Sequence, residues 1–156
     1  MSSDDSIYKT IIFDIDGTIA NCEHRQPFVR FKPKNWNAFN KAMKYDTPHH
    51  DIIWLLKTLK NGGNKIIICT GRTEDYRKET QDWIDNVAGL KGYYEKIYMR
   101  EEKDYRDDGI VKIEMLKKIK EDGFDDPTMV FDDRDRVVKA WREAGLRCFQ
   151  VAPGDF

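Results

Sequence analysis

The stretch Tyr8-Lys9-Thr10-Ile11-Ile12-Phe13-Asp14-Ile15-Asp16-Gly17-Thr18 decides the fold. Its first half is a short apolar, β-branched run that halts at a charged residue, the pattern of a buried parallel strand reaching its carboxyl end. Its second half sets two carboxylates two positions apart, then a glycine and a hydroxyl, at the rim where open parallel sheets bind their ligands. Lys65–Thr70 (KIIICT) repeats the pattern and runs into Thr70-Gly71-Arg72. Before it, Asp51–Lys60 carries Ile52, Leu55, Leu56 and Leu59 at helical spacing and ends at Asn61-Gly62-Gly63. Further strands are expected at Lys96–Met99, Thr128–Phe131 and Leu146–Val151, with helices at about Glu74–Val87, Ile110–Glu121 and Arg134–Ala144. This alternation predicts an α/β fold: a doubly wound parallel sheet of about five strands with helices on both faces.

One connection is long for that plan. Ala20–Thr47 separates the first strand from the first crossover helix and reads as a small cap or lid insertion, with Asn35–Met43 a short helix carrying Trp36, Phe39 and Met43 on one face. No repeat, linker or low-complexity tract interrupts residues 1–156, which read as a single domain with its insertion at about 20–47.

Composition bounds the function classes. In 156 residues, 27 Lys+Arg face 28 Asp+Glu, so the net charge is -1 and no global field advertises a membrane or nucleic acid; any polyanion site must be local. An apolar fraction of 40% with eight Phe, seven Tyr and four Trp is enough for a core in a chain that buries roughly 70% of its unfolded surface. Cys22, Cys69 and Cys148 lack zinc or disulfide spacing, and the acidic start Met1-Ser-Ser-Asp-Asp-Ser has no apolar stretch behind it long enough for a signal peptide. A reducing, cytoplasmic setting without membrane attachment is therefore expected. Cys69 and Cys148 read as inert core thiols, Cys22 as an exposed one, and Trp54, Trp83 and Trp141 as core residues on helices. His24, His49 and His50 lack the spacing of a zinc site and read as capping or surface residues.

The polar residues after each apolar run form one list: Asp14 and Asp16, then Thr70 and Arg72, then Asp132-Asp133-Arg134. Four carboxylates converging on one rim repel unless a cation sits among them, and hard oxygen donors favour Mg2+.

Asp14-x-Asp16-Gly17-Thr18 resembles the nucleophile motif of the haloacid dehalogenase (HAD) superfamily of phosphotransferases, and the remaining motifs follow in order. Thr70 matches the hydroxyl of the second, Lys112 the base of the third, and Asp132-Asp133 the paired acids of the fourth. The resemblance implies a HAD-like Rossmannoid sheet in which Asp14 attacks phosphorus and forms an aspartyl-phosphate. It implies that Asp16 serves as acid and base, with a raised pKa, and that Thr70 and Lys112 hold the transferring oxygens. Magnesium would be held by Asp14, Asp133 and the Asp16 carbonyl, with Asp132 assisting.

A closer resemblance, from about Ile11 to Phe156, is to the 3′-phosphatase domain of bacteriophage-type polynucleotide kinase/phosphatase. It rests on Arg25, on Thr70-Gly71-Arg72, on Asp104-Tyr105-Arg106 with Asp108 ahead of Lys112, and on the ending Gln150-Val151-Ala152-x-Gly154-Asp155-Phe156. It implies that Arg25, Arg72, Thr18 and Arg106 belong to substrate binding, with Asp108 positioning Lys112 or an arginine. The substrates implied are 3′-phosphorylated DNA or RNA ends or 3′-nucleotides. No G-x-x-x-x-G-K-[ST] loop occurs in these residues, so a 5′-kinase activity is not expected in them. A separate kinase or ligase is the expected partner.

The insertion carries Arg25, Arg30, Lys32, Lys34, Lys41 and Lys44 with no acid between Glu23 and Asp46, interleaved with Phe28, Phe31, Trp36 and Phe39. That composition suits a single-stranded 3′ end, and equally a solvated cap whose aromatics pack on the domain. Three other readings stay open: a phosphatase for a small metabolite or a 5′-nucleotide, a phosphoacceptor receiver module, and a recruitment subunit in end repair. The position of the DxDGT signature after the first strand opposes the receiver, whose acceptor follows the third.

Overall fold

The computed structural model describes residues 9–156; the acidic start and Tyr8 of the expected first strand lie outside the described residues. Strand β1 (Thr10–Phe13) is buried at every position. Two short segments, β2 (Ala20–Asn21) and β3 (Thr47–Pro48), pair antiparallel and close the base of the insertion, which contains α1 (Pro27–Arg30) and α2 (Trp36–Lys41). The crossover helix α3 (His50–Asn61) leads into β4 (Lys65–Thr73), and the 74–87 segment into β5 (Lys96–Arg100). Helix α5 (Asp108–Glu121), β6 (Pro127–Asp132), α6 (Asp135–Glu143) and β7 (Arg147–Gln150) complete the chain. The remaining short helix, α4 (Arg77–Asp82), lies inside the 74–87 segment.

The five long strands form one parallel sheet in the order β5-β4-β1-β6-β7. The strand order reverses at β1, so the crevice for a ligand opens beyond the carboxyl ends of β1 and β6. Alternation along β1 feeds two cores: Ile11 and Phe13 pack with Leu56 of α3 and with Trp83, Ile84 and Leu90, while Ile12 packs with Val111 and Met115 of α5 and Trp141 of α6. The expected doubly wound sheet with helices on both faces is therefore present.

Three details differ from the sequence reading. The expected helix at 74–87 is a 3₁₀ turn, one and a half turns of α-helix and a π turn at Trp83–Val87, which seats Trp83 and Ile84 in the core. Trp54 is exposed rather than buried, because it stands about half a turn from Ile52 and Leu56 and faces away from their stripe. Cys22 is buried beneath the insertion rather than exposed, and burial pushes its thiol up to about 12. Among the described residues no helix is long and apolar enough to cross a membrane.

Candidate active site

The turn after β1 sets the geometry. The carbonyl of Ile15 accepts from the N–H groups of Thr18, Ile19 and Ala20 at 3.0, 2.9 and 2.9 Å, and the Asp14 N–H donates to the Phe131 carbonyl of β6 at 3.0 Å. The chain folds tightly back at Gly17, whose φ of +83° lies in the left-handed region. This holds Asp14 beside the end of β6, where Asp132 and Asp133 emerge.

Ligand oxygens of Asp14, Asp132 and Asp133 lie within 4.8 Å of one another, and all three residues are buried. Lys112 reaches them from α5, its Nζ donating to Asp14 Oδ1 at 2.8 Å and to Asp132 Oδ2 at 3.2 Å. The second Asp14 oxygen accepts from Thr18 Oγ1 at 3.1 Å. Asp132 also accepts from the Trp141 indole N–H at 3.2 Å and from the Asp133 N–H at 2.8 Å. Burial, reinforced by Asp132, drives the Asp14 carboxyl well above the usual carboxylate range, with Lys112 opposing. The same two causes raise Asp133 to about 6. Burial alone would lower the Lys112 ammonium, but Asp132 and Asp14 more than reverse this and hold it charged. Three buried carboxylates against one ammonium leave net negative charge on hard oxygen donors, a set that fits a divalent cation such as Mg2+.

Asp16 stands outside that trio, turned toward two arginines. Arg72 Nη2 donates to its Oδ1 at 2.6 Å and Arg25 Nη2 to the same oxygen at 2.7 Å. Burial would raise its pKa, yet Arg72 and Arg25 bring it down to about 2. The raised value expected for an acid is therefore absent in this arrangement: the guanidiniums that carry the substrate expectation are spent on the carboxylate. Both also engage Asp46, Arg25 through Nε and Nη2 at 2.9 Å each and Arg72 through Nη2 at 3.1 Å. A register shift between Thr70 and Thr73 in β4 bulges the strand at Gly71-Arg72 and delivers Arg72 to this cluster. Thr70 is buried at the strand end, its Oγ1 accepting from the Arg72 N–H at 3.1 Å.

Asp108 opens α5 between two arginines, one carboxylate oxygen on Arg100 and the other on Arg134. Arg106 makes its side-chain bonds to Asp104 and Glu114 rather than to the aspartate cluster, with Nη2 at 2.8 Å from Asp104 and Nη1 at 2.5 Å from Glu114. Its carbonyl accepts from Arg100 at 2.8 Å.

Two residues of this neighbourhood escaped sequence reasoning. Arg100 is the first polar residue after the apolar run of β5, so the strand-end rule that found Asp14 and Thr70 applies to it equally. Asp46 offers no such signal; it closes the insertion, with His24 Nε2 2.7 Å from its Oδ1 and the Trp83 indole N–H donating to its carbonyl at 2.9 Å.

Comparison with known proteins gives the family and the fold of the chain. A family model described as the polynucleotide kinase PNKP phosphatase domain matches residues 8–156. Two solved structures, titled as the Pnkp1/Rnl/Hen1 complex and the Pnkp1/Rnl/Hen1 RNA repair complex, hold chains 32% and 31% identical to this one, with TM-scores of 0.76 and 0.73. Each match covers 97% of this chain, which spans 49% and 45% of those longer chains. A putative phosphatase from Clostridium difficile (12% identity, TM-score 0.67, 93% of this chain and 85% of that one) shares the fold. So does CbbY from Rhodobacter sphaeroides in complex with phosphate (15%, 0.65, 96% and 88%). With its motifs on one rim of a HAD-like sheet and its match running from residue 8 to residue 156, the chain belongs to the PNKP phosphatase-domain family of HAD phosphatases.

Proposed function

We propose that this protein removes the 3′-phosphate from DNA or RNA ends through a phosphorylated Asp14. The observation that carries the reading is Asp14 held between Lys112 and Thr18, beside Asp132 and Asp133, in a chain that matches the PNKP phosphatase domain throughout its described length. Asp14 Oδ attacks phosphorus, forming an O–P bond as the bond to the 3′-oxygen breaks; water then displaces the aspartate and releases inorganic phosphate. Lys112 and Thr70 meet the transferring oxygens, where negative charge concentrates. Asp14, Asp133 and the Asp16 carbonyl would hold Mg2+, with Asp132 assisting, and that ion supplies charge neutralisation for a carboxylate approaching a phosphate dianion.

Asp16 is the group placed to give a proton to the leaving 3′-oxygen and later to take one from water. In the arrangement described it is ionised between Arg25 and Arg72. The arriving phosphate competes for those guanidiniums; drawn to its oxygens, they no longer hold Asp16 ionised, and burial then favours the protonated form. The phosphatase would act in the cytoplasm with a separate kinase or ligase, in line with the Pnkp1/Rnl/Hen1 RNA repair complex that holds a similar chain.

The test is phosphate release in Mg2+ from a 3′-phosphorylated oligonucleotide, its 5′-phosphorylated isomer, a 3′-mononucleotide and a generic phosphate ester, with Asp14→Asn as control. Selective turnover of 3′-phosphates, abolished in Asp14→Asn, is expected. Turnover of the small ester alone would move the function to a metabolite phosphatase.

A further inference from the structure

The insertion presents most of its aromatic residues to solvent, with Phe39 half-buried over Arg25. Phe31, Trp36 and Tyr45 are 66%, 55% and 68% exposed. Lys32, Lys34, Lys41 and Lys44 are exposed among them, and none forms an ion pair with a described residue. Lys34 Nζ sits 5.9 Å from the Trp36 ring and Lys44 Nζ 5.1 Å from the Tyr45 ring. A core-packing role would bury these rings, and a purely solvated face has no use for them. Flat exposed rings alternating with unpaired ammonium groups are the two components of a single-strand nucleic-acid surface: stacking platforms for bases and cations for the phosphates between them.

This surface connects to the catalytic rim. Trp36 packs edge-on against Phe39 at 5.5 Å between ring centroids. The Phe39 ring covers the Arg25 guanidinium at 4.3 Å, and Arg25 in turn contacts Asp16. A continuous line thus runs from exposed Trp36 through Phe39 and buried Arg25 to the carboxylate beside the proposed nucleophile. We infer that Phe31, Trp36 and the four lysines dock the single strand just 5′ of the terminal phosphate, with bases on the rings and backbone on the ammonium groups. The inference rests on the phosphatase reading above and adds to it the residues that recognise a polymer rather than a mononucleotide.

Binding and turnover separate the two claims. In an Asp14→Asn background with Mg2+, affinity for 3′-phosphorylated single-stranded DNA and RNA oligonucleotides is read by fluorescence anisotropy. Trp36→Ala is expected to weaken binding about fivefold to a hundredfold. Phe31→Ala, outside α2, gives a second reading should Trp36→Ala disturb that short helix. Each Lys→Gln change should flatten the dependence of log affinity on log salt by about 0.7. In the otherwise unaltered enzyme the same changes should lower kcat/KM for the oligonucleotide and leave 3′-mononucleotide turnover unchanged. Oligonucleotide affinity and salt slope unmoved by all of them would overturn the platform while the phosphatase stands. Equal losses on oligonucleotide and mononucleotide would also overturn it, as the mark of a structural role. Trp36-dependent strand binding by a protein that releases no 3′-phosphate would support the platform and overturn the phosphatase.

Discussion

A Cβ on Gly17 would lie 1.9 Å from Oδ2 of Asp133, so these two residues share the rim only while position 17 carries no side chain. The same residue needs a positive φ of 83°. Gly17→Ala should displace Asp133 and cut kcat/KM by about a hundredfold or more, since misplacement of a catalytic group by about 1 Å has that cost. Steady-state kinetics beside a thermal melt would check it; full activity in a folded variant would mean the turn tolerates what its geometry forbids.

Lys112 is the ammonium bonded to both Asp14 and Asp132. Lys112→Met should lower kcat by about 10²–10³ by removing a charge aimed at the transferring oxygens. It should also destabilise the metal-free fold by about 3–5 kcal/mol, because buried carboxylates lose their counter-ion. Urea titration with and without Mg2+ reads the second effect, and an ion that restores most of the stability would show that the two cations share one task.

Mg2+ itself should stabilise the protein by about 2.7 kcal/mol at a hundred times its Kd. The gain should vanish in Asp133→Asn. Without metal, that variant should be as stable as the parent or more so, because it removes one of three mutually repelling carboxylates. A metal-free Asp133→Asn protein that melts well below the parent would contradict this account of the cluster.

Asp46 anchors Arg25 and Arg72 away from solvent. Asp46→Asn should cost about 3–5 kcal/mol, the usual penalty for leaving buried charge without its partner. A double-mutant cycle with Arg25→Gln should recover part of that loss; strict additivity would mean that the two residues are not coupled.

The three thiols are buried, and burial pushes Cys22, Cys69 and Cys148 each up to about 12. The reactive thiolate is therefore scarce in the folded protein until the pH approaches that value. Alkylation at neutral pH should stay slow for all three and accelerate together in denaturant. Rapid native modification of Cys22 would show that the insertion opens.

The carboxyl ends of the strands were legible because a doubly covered parallel strand reads as an unbroken apolar run, so its first polar residue marks the rim. Asp14, Thr70 and Asp132 were found this way, and Lys112 through the resemblance of its motif. The partnering at the rim was not legible. Nothing in the spacing of Arg25, Arg72 and Asp46 announces that they meet, because the β2–β3 pair and the β4 bulge that join them are tertiary features. Trp54 reads as an apolar helical position, yet it stands about half a turn from Ile52 and Leu56 and is exposed, because the buried stripe of that helix is narrower than its run of apolar residues. Asp16 departs from its expectation for another reason: its charge state is set by Arg25 from the insertion and by Arg72 from β4, 56 residues on, whose meeting is a tertiary feature.

Trp141 donates its indole N–H to Asp132, while Trp36 stands in solvent on the insertion. The molecule therefore carries four tryptophans in contrasting surroundings, Trp83 and Trp141 buried and Trp36 and Trp54 exposed, with Trp141 touching the carboxylate cluster and Trp36 standing on the insertion. Arrival of an ion and arrival of a strand should leave separate optical signatures, assigned by their loss in Trp141→Phe and in Trp36→Phe, so the order of loading can be followed in real time on an unlabelled protein.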